Sequence, residues 1–364
     1  MPINEIEIEN FKSIKKLRLE IAPINILVGP NGVGKSNLIG FFSLLKNMFA
    51  QSLQTYIATQ GKANGFLHFG KAHSAFLSGT INFNNDRGYT TNSYSFRLIP
   101  DDSNSLILEE ESSGYNARDG WNYKREYTRN ESFHAVSSSF RNDYLRDYFN
   151  EFNTFHFHDT SRSSKLKQSN NLKDNRVLKS DGSNLAAFLY MLSIKHKTHF
   201  KLIEKTIGSI APYFSKFDLQ PDLLDENMIE LVWKEVGSEQ YFNAYNFSDG
   251  TLRFIALATL LLQPNPPKTI IIDEPELGLH PFAIKKLAAL ITNVSANSQV
   301  IVSTQSVTFL NEFTPKDIIV VDRENIEGMM ISKFKRFKEE ELDQWLEGYS
   351  MGEIWEKNLI GGKP

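Results

Sequence analysis

The stretch GPNGVGKS, Gly29 to Ser36, constrains this chain more than any other. It has the spacing G-x-x-x-x-G-K-[ST]. It lies directly after an apolar run, INILV (Ile24 to Val28), and directly before a segment of helical spacing, Lys35 to Asn47. Phosphates need many donors at close range, and glycines let backbone N–H groups wrap around them at the start of a helix. In that setting Lys35 brings charge to β- and γ-phosphates and Ser36 offers a hydroxyl to magnesium, with Asn31, Gly32, Gly34 and Asn37 completing the cradle. A chance glycine turn seldom has both the strand and the helix in place.

The C-terminal third alternates in the same sense. A helix (Thr251 to Leu262), a strand (Thr269 to Ile272), a helix (Pro281 to Val294), a strand (Gln299 to Ser303), a short helix and a strand (Asp317 to Val321) follow one another. That order predicts a parallel sheet with crossover helices, an α/β fold. In TIIIDEPELGLH the β-branched run ends in Asp273-Glu274, so both carboxylates emerge at the carboxyl edge, where such sheets bind ligands. Asp273 is expected to hold magnesium through water, and Glu274 to orient and deprotonate an attacking water.

Between these ends the texture changes. The runs TINFNN, YSFRLI and LILEEE, from about Thr80, read as an antiparallel meander. From about Ser137 to Lys234 the pattern is mixed and more helical. The expected division is an N-terminal lobe over 1–136, a mainly helical insert over 137–235 and a C-terminal lobe over 236–364, together one head.

Composition narrows the function classes. The net charge of −3 gives no global positive field, so any nucleic-acid contact must be local. The absence of cysteine excludes disulfides, thiolate metal sites and cysteine nucleophiles. The start, MPINEIEIENFKS, carries acids where a signal peptide needs a basic and then an apolar segment. The longest apolar run, Phe254 to Leu262, is far short of a bilayer span. A cytoplasmic protein with no membrane partner is expected.

In the order NFKSI, GPNGVGKSN, SDGTLRF, DEPELGLH and VSTQS, the chain resembles the ABC-type ATPase heads of the RecF/SMC/OLD group. The resemblance covers roughly Ile3 to Asn47 and Asn246 to Asp322. The closing segment, WLEGYSMGEIWEKNLIGGKP, resembles a subfamily of stand-alone RecF-like ATPases, and some relatives in the wider group act in bacterial antiviral defence beside a nuclease. The resemblance implies an ABC-type P-loop head that binds ATP with Mg2+ and hydrolyses it. SDGT resembles the ABC signature, which in this group contacts the γ-phosphate of ATP bound on the opposing subunit, here through the Ser248 hydroxyl and the Gly250 N–H. One chain has one P-loop and one signature, so a homodimer or higher even-numbered oligomer is implied.

Two departures from the group's pattern stand out. The position after the QVIVS strand, usually His, is Gln305, which can hydrogen-bond a γ-phosphate or water but cannot relay a proton near neutral pH. Slow hydrolysis is expected. The Q-loop glutamine has no clear counterpart, and His68 in FLHFG is a weak candidate.

The resemblance further implies a separate nuclease or effector as partner, with DNA as another. VVDRENIEG reads as a strand and hairpin, without the glutamate and D-x-D pair of a TOPRIM nuclease. A rival role is a DNA-repair factor recognising gapped or junction DNA with no effector. A transporter ATPase is opposed by NFKSI and by an insert unlike a transmembrane coupling region.

Three weaker signals remain. FHFHD places His156 and His158 on one side of an expected strand and Phe155 and Phe157 on the other. A metal site needs more ligands than the sequence assigns, so a structural or partner-facing role is expected. Arg162, Lys165, Lys167, Lys173, Arg176 and Lys179 form a basic run opposed only by Asp174, read as a solvated segment or a phosphate contact. KFKRFK, followed by three glutamates, reads as a strand edge.

Overall fold

The computed structural model describes residues 2–84, 90–117, 120–137 and 139–362. Two six-stranded sheets form the frame. The central sheet runs, in spatial order, β17 (Met329–Arg336), β16 (Ile318–Ile326), β3 (Ile24–Val28), β15 (Gln299–Thr304), β14 (Thr269–Asp273) and β8 (Asn153–Phe155). All neighbours are parallel except the β16–β17 edge pair. The second sheet is antiparallel throughout: β2 (Ile14–Glu20), β1 (Ile3–Phe11), β4 (Leu77–Asn84), β5 (Thr90–Pro100), β6 (Leu106–Ala117) and β7 (Gly120–Arg129). The expected meander thus takes in the two N-terminal strands.

Helices cover both faces of the central sheet, which is why its strands are continuous apolar runs rather than alternating ones. Successive residues still point to opposite faces. Ile26 and Val28 of β3 and Ile270 and Ile272 of β14 enter one core, shared with the helices Asp249–Leu262 and Pro281–Val294. Leu27 and Ile271 enter the other, shared with the helix Lys35–Phe49 and the meander. The helix Asp249–Leu262 is buried from Thr251 to Leu261, which explains why it is apolar on nearly every face.

Within residues 137–235, the helices Phe140–Asn150, Leu185–Lys195 and Lys197–Ile210 alternate with short strands. One of these, β8, is the outer strand of the central sheet. The others are β10 (Phe214–Phe217) and β12 (Val232–Glu235), which join β13 (Tyr241–Asn243), and the two-residue pair β9 (Asn170–Asn171) and β11 (Met228–Ile229). Among the described residues, no helix is long and apolar enough to cross a membrane.

Parallel pairing fixes the site. Asp273 lies opposite Ser303 and Thr304 opposite Val28, so the carboxyl ends of β14, β15 and β3 meet at one edge. The glycine loop, both carboxylates and Gln305 all leave the sheet there.

Candidate nucleotide site

Asn31, Gly32, Gly34, Lys35, Ser36, Asn37, Asp273 and Glu274 line one cleft of about 390 Å³, together with Ser303 and Arg323. The loop takes its shape from glycine. Gly34 sits at φ 119°, and a Cβ there would lie 2.2 Å from the Ser332 hydroxyl. Ser332 also donates to the Val33 carbonyl and pairs with the Ser13 hydroxyl at 2.6 Å, which in turn accepts from Asn37 Nδ2 at 2.6 Å. Ser13 belongs to NFKSI, so that motif braces the phosphate loop from outside.

Lys35 is buried, and its Nζ donates to the carbonyls of Gly29 (2.5 Å) and Pro30 (2.9 Å). Burial lowers its pKa, while Glu274, Asp273 and Glu276 pull it upward. The ammonium is thus aimed along the loop with acids across the cleft.

Asp273 accepts from the Ser303 hydroxyl. Glu274 has φ 39°, a conformation that non-glycine residues seldom adopt, with its N–H donated to the Ser303 carbonyl at 2.9 Å. Strain of this kind is held by surrounding contacts and clusters at working sites. Gln305 ties the pieces together: its Nε2 donates to Glu274 Oε1 at 2.5 Å and to Asn31 Oδ1 at 2.8 Å. Ser36 and Asp273 present oxygen donors to the same cleft, a set suited to Mg2+.

Ser248 and Gly250 do not line this cleft. Ser248 is the N-cap of the helix Asp249–Leu262, its Oγ accepting from Thr251 N at 3.2 Å, and it remains exposed. Asp249 pairs with Lys167 at 3.3 Å. Gly250 lies so close to the loop after Glu274 that a Cβ would meet the Gly278 carbonyl oxygen at 2.4 Å.

His68 is buried against the Lys12 carbonyl (2.7 Å) and does not line the cleft. The strand beside β14 is instead β8. It ends at Phe155, one residue before the histidine pair, so His156 and His158 sit on an irregular segment rather than on a strand. The alternation nevertheless holds: Phe155 and Phe157 are buried, and His156 is exposed. Partial desolvation of the ring lowers the His156 pKa, with Asp273 opposing that shift and His158 adding to it.

The family model described as "AAA domain, putative AbiEii toxin, Type IV TA system" matches residues 24–311. The chain belongs to this AAA family. Its fold is shared with solved SMC heads. An SMC head bound to the C-terminal winged-helix domain of ScpA is 16% identical over 94% of this chain and 99% of that one, with TM-score 0.62. The Pyrococcus furiosus SMC head with an extended coiled coil, bound to the C-terminal domain of ScpA, is 18% identical over 95% and 98%, with TM-score 0.54. No curated protein matches the chain. This AAA family member thus has the fold of an SMC head, with the glycine loop and the Asp273-Glu274 pair at one edge of its central sheet.

One residue of the AAA protein's cleft and two buried residues near it escape a reading of the sequence. Arg323 reaches the cleft from β16, within VVDRENIEG, a stretch read only as a strand and hairpin. Arg253 is buried, donating from Nε to the Phe157 carbonyl and from Nη2 to the His158 carbonyl, each at 2.9 Å. Glu276 is buried below β15, accepting from the Thr304 hydroxyl at 2.5 Å. Arg253 and Glu276 stand inside the quoted motifs SDGTLRF and DEPELGLH, which was the available signal.

Proposed function

We propose that the chain binds ATP with Mg2+ and hydrolyses it slowly, at a site completed by a second copy. In this reading the ATP-held dimer controls a separate nuclease or other effector in antiviral defence. The observation that carries it is the separation of the signature from its own cleft: Ser248 is exposed and caps a helix, yet neither it nor Gly250 lines the pocket of Lys35 and Asp273. A helix start offering free N–H groups and a hydroxyl suits a phosphate supplied from outside the chain. Tyr245, Leu277 and Phe282, each at least half exposed near the signature and the loop after Glu274, suit a protein surface there.

Each residue then has a task. Lys35 exchanges its carbonyl acceptors for β- and γ-phosphate oxygens. Ser36 and Asp273 would hold Mg2+, which when bound neutralises phosphate charge. Glu274 takes the proton of the attacking water, and Gln305 fixes the Glu274 carboxylate and orients that water. Because Gln305 has no titrating group, it relays no proton, which supports slow turnover.

The basic run favours an effector over direct DNA recognition. Lys165 pairs with Asp181 at 2.8 Å, Lys179 with Asp174, and Lys167 with Asp249 at 3.3 Å. Charge spent on local partners is less available to a phosphate backbone. The toxin–antitoxin wording in the family's description is in line with a two-component defence system.

Mixing Lys35→Ala chains with Ser248→Arg chains tests the shared site. Each variant alone lacks every intact site, whereas a mixed dimer has one site with both a parental P-loop and a parental signature. Partial recovery of ATPase is expected in the mixture. No recovery, despite mixed dimers observed by native mass spectrometry, would refute sharing between copies.

A further inference from the structure

The segment after β8 brings two imidazoles to the side of the nucleotide cleft. β8 pairs in parallel with β14, Phe155 opposite Ile272, so the residues following each strand leave the sheet together. His156 and His158 follow Phe155, and Asp273 follows Ile272. One ligand atom from each of His156, His158 and Asp273 lies within 4.8 Å of the others. Ligand atoms bound to a single ion at ~2.0–2.2 Å sit roughly 3–4 Å apart, so small side-chain rotations close the set.

The backbone that carries this pair is held on every side. Phe155 and Phe157 are anchored in the core, and His156 N–H donates to the Ser180 carbonyl at 3.0 Å. Arg253 grips the carbonyls of Phe157 and His158 from the signature helix. The His158 Nδ1 is buried and has no hydrogen-bond partner. An imidazole nitrogen buried without a partner costs free energy unless something fills the gap.

We propose that His156, His158 and Asp273 bind a divalent transition-metal ion beside the nucleotide cleft. Two imidazoles and one carboxylate select ions of the Zn2+, Co2+ and Mn2+ class, leaving further positions for water. Mg2+ prefers all-oxygen surroundings and keeps most of its waters, so it is a poor occupant of this set. Asp273 is shared with the oxygen donors assigned to the nucleotide's Mg2+, so the two ions lie side by side and influence one another. The site itself needs no nucleotide, and a test made without ATP separates its failure from that of the ATPase reading.

Co2+ serves as the probe, titrated into the nucleotide-free full chain and followed by its visible d–d absorption. The expected result is a signal saturating at one ion per chain, displaced by Zn2+ and not displaced by Mg2+ at the same concentration. His156→Ala and His158→Ala should each weaken Co2+ binding by at least roughly tenfold, since even outer partners of a ligand are worth that much. Ser36→Ala should titrate like the parent. Circular dichroism and melting check each variant's fold. Because His156 is exposed, His156→Ala alone decides the matter if His158→Ala fails to fold. An unsaturable signal in the parent, or parent-like binding in His156→Ala, overturns the proposal.

Discussion

Glu276 shows how much of the site is settled by single buried atoms. Its Oε1 accepts from Thr304, while Oε2 is buried with no partner. Burial raises its pKa, and hydrogen bonds from Thr304 and from backbone N–H groups only partly offset that. An acid whose native pKa lies above its unfolded value holds its proton more tightly when folded. Its stabilising contribution is full below the unfolded value and is lost as pH rises through the native one. Glu276→Gln keeps an acceptor for Thr304 and has no charge to bury. It should melt above the parent near pH 8, with the gap closing toward about pH 4.3, where an unfolded glutamate takes up its proton. Thermal unfolding across that range decides it: a variant melting below the parent at high pH would mean that Glu276 is charged and well paired. The phosphate loop and the Asp273-Glu274 pair were legible in the sequence because neighbouring residues define them. Arg253 and Glu276 were not, because the carbonyls and the hydroxyl that hold them come from other parts of the chain, and Arg323 was not, because only the sheet order brings β16 to the cleft.

At the scale of elements, apolar patterning predicted β3, β14 and β15 and the helices between them, since short unbroken apolar strands follow from burial on both faces of a parallel sheet. What periodicity could not supply was adjacency. The histidine pair alternates as expected, yet its nearness to Asp273 depends on β8 lying beside β14. The same holds for the signature helix, whose start is shaped by the loop after Glu274. Gly250 lies in the first turn of that helix, where alanine ordinarily favours the helix by about 1 kcal/mol. A Cβ there would stand 2.4 Å from the Gly278 oxygen, a backbone atom that must shift. Gly250→Ala should therefore destabilise, by about 1–3 kcal/mol, the usual cost of overpacking. Gly208, in the helix Lys197–Ile210, is the control: its Cβ would meet only the Phe214 oxygen, at 3.9 Å. Gly208→Ala should raise the melting temperature while Gly250→Ala lowers it. Equal and positive shifts would show that the loop does not press on the signature.

At the scale of the whole molecule, the C-terminal segment ties one core to the strand that borders the nucleotide cleft. The order of motifs made the head legible as a whole, but nothing in the sequence showed where this segment would land. Its helix, Met351–Glu356, places Ile354 and Trp355 in the same core as the signature helix. Gly352 N–H donates to Asn311 Oδ1 at 2.7 Å, just beyond the short helix Val307–Leu310 that follows Gln305. Trp355 Nε1 then donates to the Gly362 carbonyl at 2.8 Å, and Gly362 N–H donates to Asp322 Oδ2 at 3.1 Å. Asp322 precedes Arg323, which lines the cleft, so the segment is linked to β16 at the edge of the nucleotide site. Trp355→Ala removes a large buried side chain and the hydrogen bond that positions Gly362. It should cost about 3–5 kcal/mol, read as a lowered denaturation midpoint. Asp322→Ala removes the other end of the same chain of contacts, so the second change should cost less once the first is made. A double-mutant cycle should give a coupling of about 0.5–3 kcal/mol. Strict additivity would mean that the segment packs on the core without holding β16, and that the cleft's arginine is positioned by its own strand alone.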